Sequence, residues 1–511
     1  MAEALQAYRT GKFDAAIEKY NQILADDAKS ADAYAGLIRL YLKREEVDKA
    51  QEIAVRGMAA APDSNVMQTA LAELEFRQGK IPEAEQIFVK VINTGDLNAR
   101  AYWGLARIRD AISMHKKAKD LLDRAHAFDP ADPDIQRYWM SSLKRSERLK
   151  YLENYLTSQT DDDSSEREWM NRYVALLKDR EQNPQRTCHL VNKVESTITP
   201  LVRMLRDPTH MSGYGLMVKF NSQNARLLLD TGASGLVVKK SVAEKAGIKS
   251  VVQSKIGGIG DKADTEAYLG YADSIRIGEL EFQNCLVEVT QKSFSADEDG
   301  LIGADVFSSY LVDLDFNDEK LKLSPLPPRP NETSTSATLN TQGTSDEDND
   351  EAAASDAQKP APRGPQDRYI APEMQSYTRV YRFGHNLLIP TSIGEAKDKL
   401  FIIDSGSNVN FISPRAAREV THVHSESNVR IHGLSGSVDR VFTADKAVLQ
   451  FGHYRQENQE IAAFDFSKIS KHVGTEVSGF LGFVTLRMFD VKIDYRDGLV
   501  NFDFNRSVYG K

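Results

Sequence analysis

The 511-residue chain reads as a multidomain α plus all-β protein. An α-solenoid over residues 1–140 and a helical connector over 141–187 precede two β lobes, 188–326 and 376–511, which form an internal pseudodimer around an acidic, proline-containing linker over 327–375. Three observations carry this reading. Small and apolar residues recur every 34 positions in the first third, one apolar-Asp-hydroxyl-Gly string appears twice in the remainder, and the stretch between its copies is poor in apolar residues.

The solenoid rests on Ala16, Ala50, Ala84 and Ala118, on Leu37, Leu71 and Leu105, and on Phe13, Val47 and Ile81, each set stepping by 34. Pro62 and Pro130 lie two such steps apart. A 34-residue period with small residues where helices cross resembles the tetratricopeptide repeats. Tyr8, Gly11 and Phe13 open one turn of that pattern, and Phe76, Gly79 and Ile81 another, giving about four repeats by this period. Each helix pair buries its apolar face only against its neighbours, so the array is expected to offer a concave surface to a protein partner; a spacer or self-association module is the alternative. The second repeat is expected to start near Ala31, which places its counterpart upstream of Met1 and predicts preceding residues, such as a removed targeting segment.

In the connector, Asp161, Asp162 and Asp163 read as a helix start or loop, and Trp139 and Trp169 as core anchors. From Cys188 the pattern turns to strands, with HLVNKVESTITPLV opening the first lobe. Cys188 and Cys285 are the only cysteines and read as idle or buried thiols.

The repeated strings are LLLDTGASG at Leu227–Gly235 and FIIDSGSNV at Phe401–Val409. A single Asp-Thr-Gly is ordinary turn chemistry. Here, however, Gly258 and Gly433 follow the two aspartates by 28 and 29 residues, and Gly303 and Gly482 each precede a further Asp by 12, in VDLDFNDEKLKL and VKIDYRDGLVNF. Those last strings alternate as strand, turn and strand. Two facing carboxylates cannot both ionise at close range, so one keeps a proton while the other stays an anion. Asp230 and Asp404 are therefore candidates for a dyad that activates water against a peptide bond.

These motifs resemble the aspartic proteases, with retropepsin-like flap spacing in a pepsin-like tandem; the resemblance covers about half of the chain. It implies Asp230 and Asp404 as catalytic, with Thr231, Gly232, Ala233, Ser405, Gly406 and Ser407 supporting the dyad. It puts Gly257, Gly258, Ile259, Gly260, Gly433, Leu434 and Gly436 on substrate flaps, and has Leu301, Ile302, Gly303, Phe480, Leu481 and Gly482 brace the loops. The activity implied is an aspartic endopeptidase acting on polypeptide, with no cofactor and no metal. Ser407 has no hydroxyl counterpart at Ala233, and a hydroxyl donating to its neighbour is expected to make Asp404 the better anion.

The linker stretch Asn331–Arg363 holds too few apolar groups to offset the entropy of ordering, and its run from Asp346 to Glu351 reads as solvating. A net charge of −9 argues against nucleic acid as the main partner, and no apolar run is long enough to span a bilayer. His422 and His424 share one face of a strand, but no third ligand is near in sequence, so they read as surface residues. Two alternatives stay open: lobes pairing with copies from another chain in a homodimer, and an inactive adaptor that grips peptides. The compartment is undetermined.

Overall fold

The computed structural model describes residues 1–158, 164–192, 194–207, 210–260, 265–292, 297–330, 367–424, 431–433 and 436–505. Asp161, Asp162, Asp163, Leu434 and the linker stretch Asn331–Arg363 lie outside them. The chain divides into two compact units, Met1–Lys178 with Ser470–Glu476, and Asp179–Ile469 with Val477–Lys511.

In the first unit, helices begin at Phe13, Val47, Ile81 and His115, and their partners at Ala31, Asn65, Ala99 and Pro133, so both series advance by 34 residues. The recurring alanines are where helices touch: Ala16, Ala50 and Ala84 are fully buried. Gly36 and Gly104 receive the rings of Tyr20 and Phe88 so closely that a Cβ on either glycine would collide with the ring. The turn inside each pair needs one left-handed residue, supplied by Gly11, Glu45, Gly79 and Ser113 at φ of 75°, 62°, 82° and 61°. Ser64, Asn98 and Asp132, again 34 apart, cap the helices that follow by accepting backbone N–H bonds. Buried Arg100 ties the helices together, donating to Glu73 at 2.6 Å and to Asp132 at 2.7 Å. The segment Ser470–Glu476 is part of this unit: Thr475 Oγ1 donates to Phe76 O at 2.6 Å, and Glu476 N–H donates to Arg77 O at 3.0 Å.

Helices Arg145–Ser158 and Ser164–Gln182 follow. Trp139 is half-buried, stacked on His126. Trp169 is 52% exposed and so is not a core anchor, because the buried stripe runs through Met170, Val174 and Leu177, one position away.

In the second unit, the strand Gln223–Asp230 lies between antiparallel His210–Phe220 and parallel Gly300–Gly303. The strand Ala396–Asp404 repeats this, between antiparallel Asn386–Ile393 and parallel Gly479–Gly482. A six-stranded sheet joins the lobes at its centre, where Tyr310–Asp315 pairs antiparallel with Phe489–Asp494, Val312 opposite Ile493 and Leu314 opposite Val491. Both central strands come from the 12-residue spacing, and both turns close alike: Asp318 N–H donates to Asp315, and Asp497 N–H to Asp494. Their inward residues Val312, Leu314, Val491 and Ile493 belong to one apolar core that also holds Leu229, Ile302, Ile403 and Leu481. The alternation in the sequence thus becomes the floor of both lobes at once.

The cysteines are not idle thiols: Cys188 and Cys285 form a disulfide. Strand His189–Leu190 pairs with Leu280–Thr290, His189 opposite Gln283, and this pairing brings together thiols 97 residues apart in sequence. No described helix is long and apolar enough to cross a membrane.

Candidate active site

Each Asp ends a buried strand that is braced from one side. Leu301, Ile302 and Gly303 lie opposite Leu228, Leu229 and Asp230, while Phe480, Leu481 and Gly482 lie opposite Ile402, Ile403 and Asp404. Both bracing strands are buried throughout, so the last residue before each loop has little freedom. Both glycines are required sterically: a Cβ at Gly303 would meet Ala233 O at 2.6 Å, and one at Gly482 would meet Ser407 O at 2.9 Å.

The loops then interlock. Thr231 Oγ1 donates to Ile403 O at 2.8 Å and accepts the N–H of Ser405 at 2.9 Å. Reciprocally, Ser405 Oγ donates to Leu229 O at 2.8 Å and accepts the N–H of Thr231 at 3.0 Å. Each buried hydroxyl is thereby used twice, as donor and as acceptor.

This grip sets the two carboxyl groups beside each other, Gly232 of the first loop lying against the Asp404 carboxyl and Gly406 of the second against that of Asp230. Gly232 N–H donates to Asp230 Oδ1 at 2.8 Å; Gly406 and Ser407 N–H donate to Asp404 Oδ1 at 3.0 and 3.1 Å. A Cβ on Gly232 would lie 2.9 Å from Asp404 Cγ, and one on Gly406 would collide with the Asp230 carboxyl. The glycines are what allow each loop to approach the opposite acid. The acids face each other within one chain.

Burial pushes both carboxyl groups above the ordinary range. Asp404, only 8% exposed, is held well above it, because the charge on Asp230 adds to burial. In Asp230 burial also raises the pKa, and the Gly232 N–H holds part of that rise back. The expectation that Ser407 makes Asp404 the better anion fails on geometry, since its Oγ donates to Val409 O at 3.1 Å and only its N–H reaches the carboxylate.

Two supporting residues escaped sequence reasoning. Buried Asp305 accepts from Ser234 Oγ at 2.7 Å and Gly235 N–H at 3.0 Å, and burial raises its pKa to about 6. In the second lobe Asn410 has the corresponding work, accepting from Gly482 N–H and Thr485 Oγ1, both at 2.9 Å. The available signal was Asp305 two residues after the bracing Leu301-Ile302-Gly303; Asn410 occupies no matching position and left none.

Gly257, Gly258, Ile259 and Gly260 follow the strand Val252–Ile256, which pairs antiparallel with Thr265–Ile277. Gly433 pairs with Gly436 in a second, short hairpin. Gly433 touches Ile259: a Cβ on Gly433 would collide with Ile259 O, and Lys292 Nζ donates to Gly433 O at 2.5 Å.

Residues 216–306 match the aspartyl protease family, and residues 7–74 match the tetratricopeptide repeat. The helical array thus carries the repeat match and the first β lobe the aspartyl protease match. Among solved structures, the aspartic proteinase from Irpex lacteus is similar at 13% identity over 61% of this chain and 97% of that one, with a TM-score of 0.32. No curated protein matches.

Proposed function

We propose that the protein is an aspartic endopeptidase in which Asp230 and Asp404 share one active site. The observation that carries this reading is the pair of buried carboxyl groups brought together across the Thr231–Ser405 grip, one of them raised well above the ordinary carboxylate range by burial and by the charge of the other. Asp404 holds the shared proton and Asp230 is the anion. A water between them gives a proton to Asp230 as its oxygen attacks the scissile carbonyl, while Asp404 protonates the carbonyl oxygen. The resulting diol collapses with a proton passed to the leaving amine, and no covalent enzyme intermediate forms. The segments at Ile259 and Gly433 part to admit an extended polypeptide and close over it. The helical repeats recruit the substrate or a partner protein.

Digestion of a peptide library from acidic to neutral pH, with the Asp230→Asn/Asp404→Asn protein as control, tests the reading. Cleavage by the native chain, abolished in the double variant and blocked by a statine-type mimic, is the expected result. Peptide binding without cleavage at any pH would establish the adaptor instead.

A further inference from the structure

We infer that His422, His424 and Asp445 form a binding site for a divalent first-row transition ion on the second lobe. The two histidines lie two apart on one strand edge and so share a face. What the sequence leaves out is the third donor, and the sheet supplies it. Val423–His424 pairs antiparallel with Phe442–Ala444, Val423 opposite Ala444 and His424 opposite Thr443. That register carries one step further, because Asp445 N–H donates to His422 O at 3.0 Å. Asp445 thus stands directly across from His422 and diagonal to His424, on the same face.

The donor atoms converge accordingly. His424 Nε2 and Asp445 Oδ1 are 2.8 Å apart, the imidazole rings of His422 and His424 are 4.5 Å between centroids, and one donor atom from each of the three residues lies within 4.8 Å of the others. Around a tetrahedral ion with bonds of about 2.0 Å, neighbouring donors sit roughly 3.3 Å apart. All three side chains are exposed, so small rotations close that gap without disturbing the core. Two imidazoles with one carboxylate suit zinc, copper or nickel far better than calcium or magnesium, which take oxygen donors. Three protein donors leave a coordination position for water.

The place of the site matters as much as its chemistry. Val423–His424 and Phe442–Ala444 are the two legs of the chain excursion that carries the hairpin of Gly433 and Gly436. An ion held by both legs clips them together at the root of that excursion.

Titration of the full chain with zinc, followed by calorimetry, tests the site. One saturable equivalent is expected, lost in His422→Ala/His424→Ala and weakened in Asp445→Asn, but kept in His453→Ala, which removes an exposed histidine elsewhere in the lobe. Absence of saturable binding, or binding that survives the double histidine variant, overturns the proposal. Hydrogen exchange reads the clip separately: amides of Phe442–Ala444 are expected to exchange more slowly with zinc, and unchanged exchange in a zinc-saturated sample sinks that part. Neither measurement depends on peptide cleavage.

Discussion

Thr231 and Ser405 hold each other's backbone: the hydroxyl of each accepts the other's N–H, at 2.9 and 3.0 Å, and donates to the carbonyl that precedes the other's aspartate, at 2.8 Å. Removing either hydroxyl strands a buried amide and a buried carbonyl. Thr231→Ala or Ser405→Ala is expected to cost about 2 kcal/mol or more, whereas Thr231→Ser costs little. The double alanine variant is expected to cost less than the two singles added, because each disrupts the same network. Denaturant unfolding of the four proteins measures both effects.

The acids themselves give the sharpest kinetic test. Asp230→Asn or Asp404→Asn alone is expected to lower kcat by about 10² to 10⁴, with the fold retained by circular dichroism. Two separate sites in a homodimer would instead leave about half the activity in each single variant.

Gly406 separates positioning from stability. A Cβ there collides with the Asp230 carboxyl. Gly406→Ala is expected to reduce turnover at least about tenfold by displacing the anion, since misplacement by an ångström can cost two orders of magnitude. Turnover of the variant at native level would remove the geometric account of this loop.

Asp305 governs a pH dependence of stability that is independent of turnover. Its pKa is raised to about 6 from an ordinary carboxylate value, with burial the main cause. The folded state therefore favours the protonated form: the contribution is full below about pH 4 and lost as pH climbs through about 6. The loss is on the order of 3 kcal/mol for a shift of that size. Asp305→Asn keeps an acceptor for the Gly235 N–H and cannot ionise, so stability of the variant is expected to fall less than native between pH 4 and 7 in parallel denaturant titrations.

Ser113 offers a stabilising change in the helical array. Its φ of 61° is left-handed, and its buried hydroxyl has no hydrogen-bond partner among the described residues. The equivalent turns at Gly11 and Gly79 use glycine. Ser113→Gly is expected to raise stability by about 1 kcal/mol, the relief of backbone strain and of the unmatched hydroxyl outweighing glycine's entropy. Thermal melting followed at 222 nm checks it.

Much of the fold was legible because it repeats. The 34-residue step anticipated the helix that starts at Ala31, and the doubled Asp-hydroxyl-Gly string located both loops, since periodic burial leaves a periodic composition. What stayed hidden depends on pairing between distant strands. Cys188 meets Cys285, and Asp445 meets His422, only through sheet register, which no local pattern encodes. The direction of the Ser407 hydroxyl was missed for a different reason, because a nearby carbonyl at Val409 competed with the carboxylate. Trp169 shows the limit of residue type alone: one position off the buried stripe, a large aromatic ring stays in solvent.

The sheet shared by the two lobes has a consequence for synthesis. Tyr310–Asp315 finds one neighbour in Lys320–Pro325 soon after it leaves the ribosome, but its other neighbour, Phe489–Asp494, is translated much later. At about 5 to 20 residues per second that wait is on the order of 10 to 30 seconds, during which the nascent first lobe presents an unsatisfied strand margin. A growing polypeptide in that interval is a natural client for chaperones, and the carboxylates Asp313 and Asp315 on the waiting strand discourage it from recruiting the wrong neighbour.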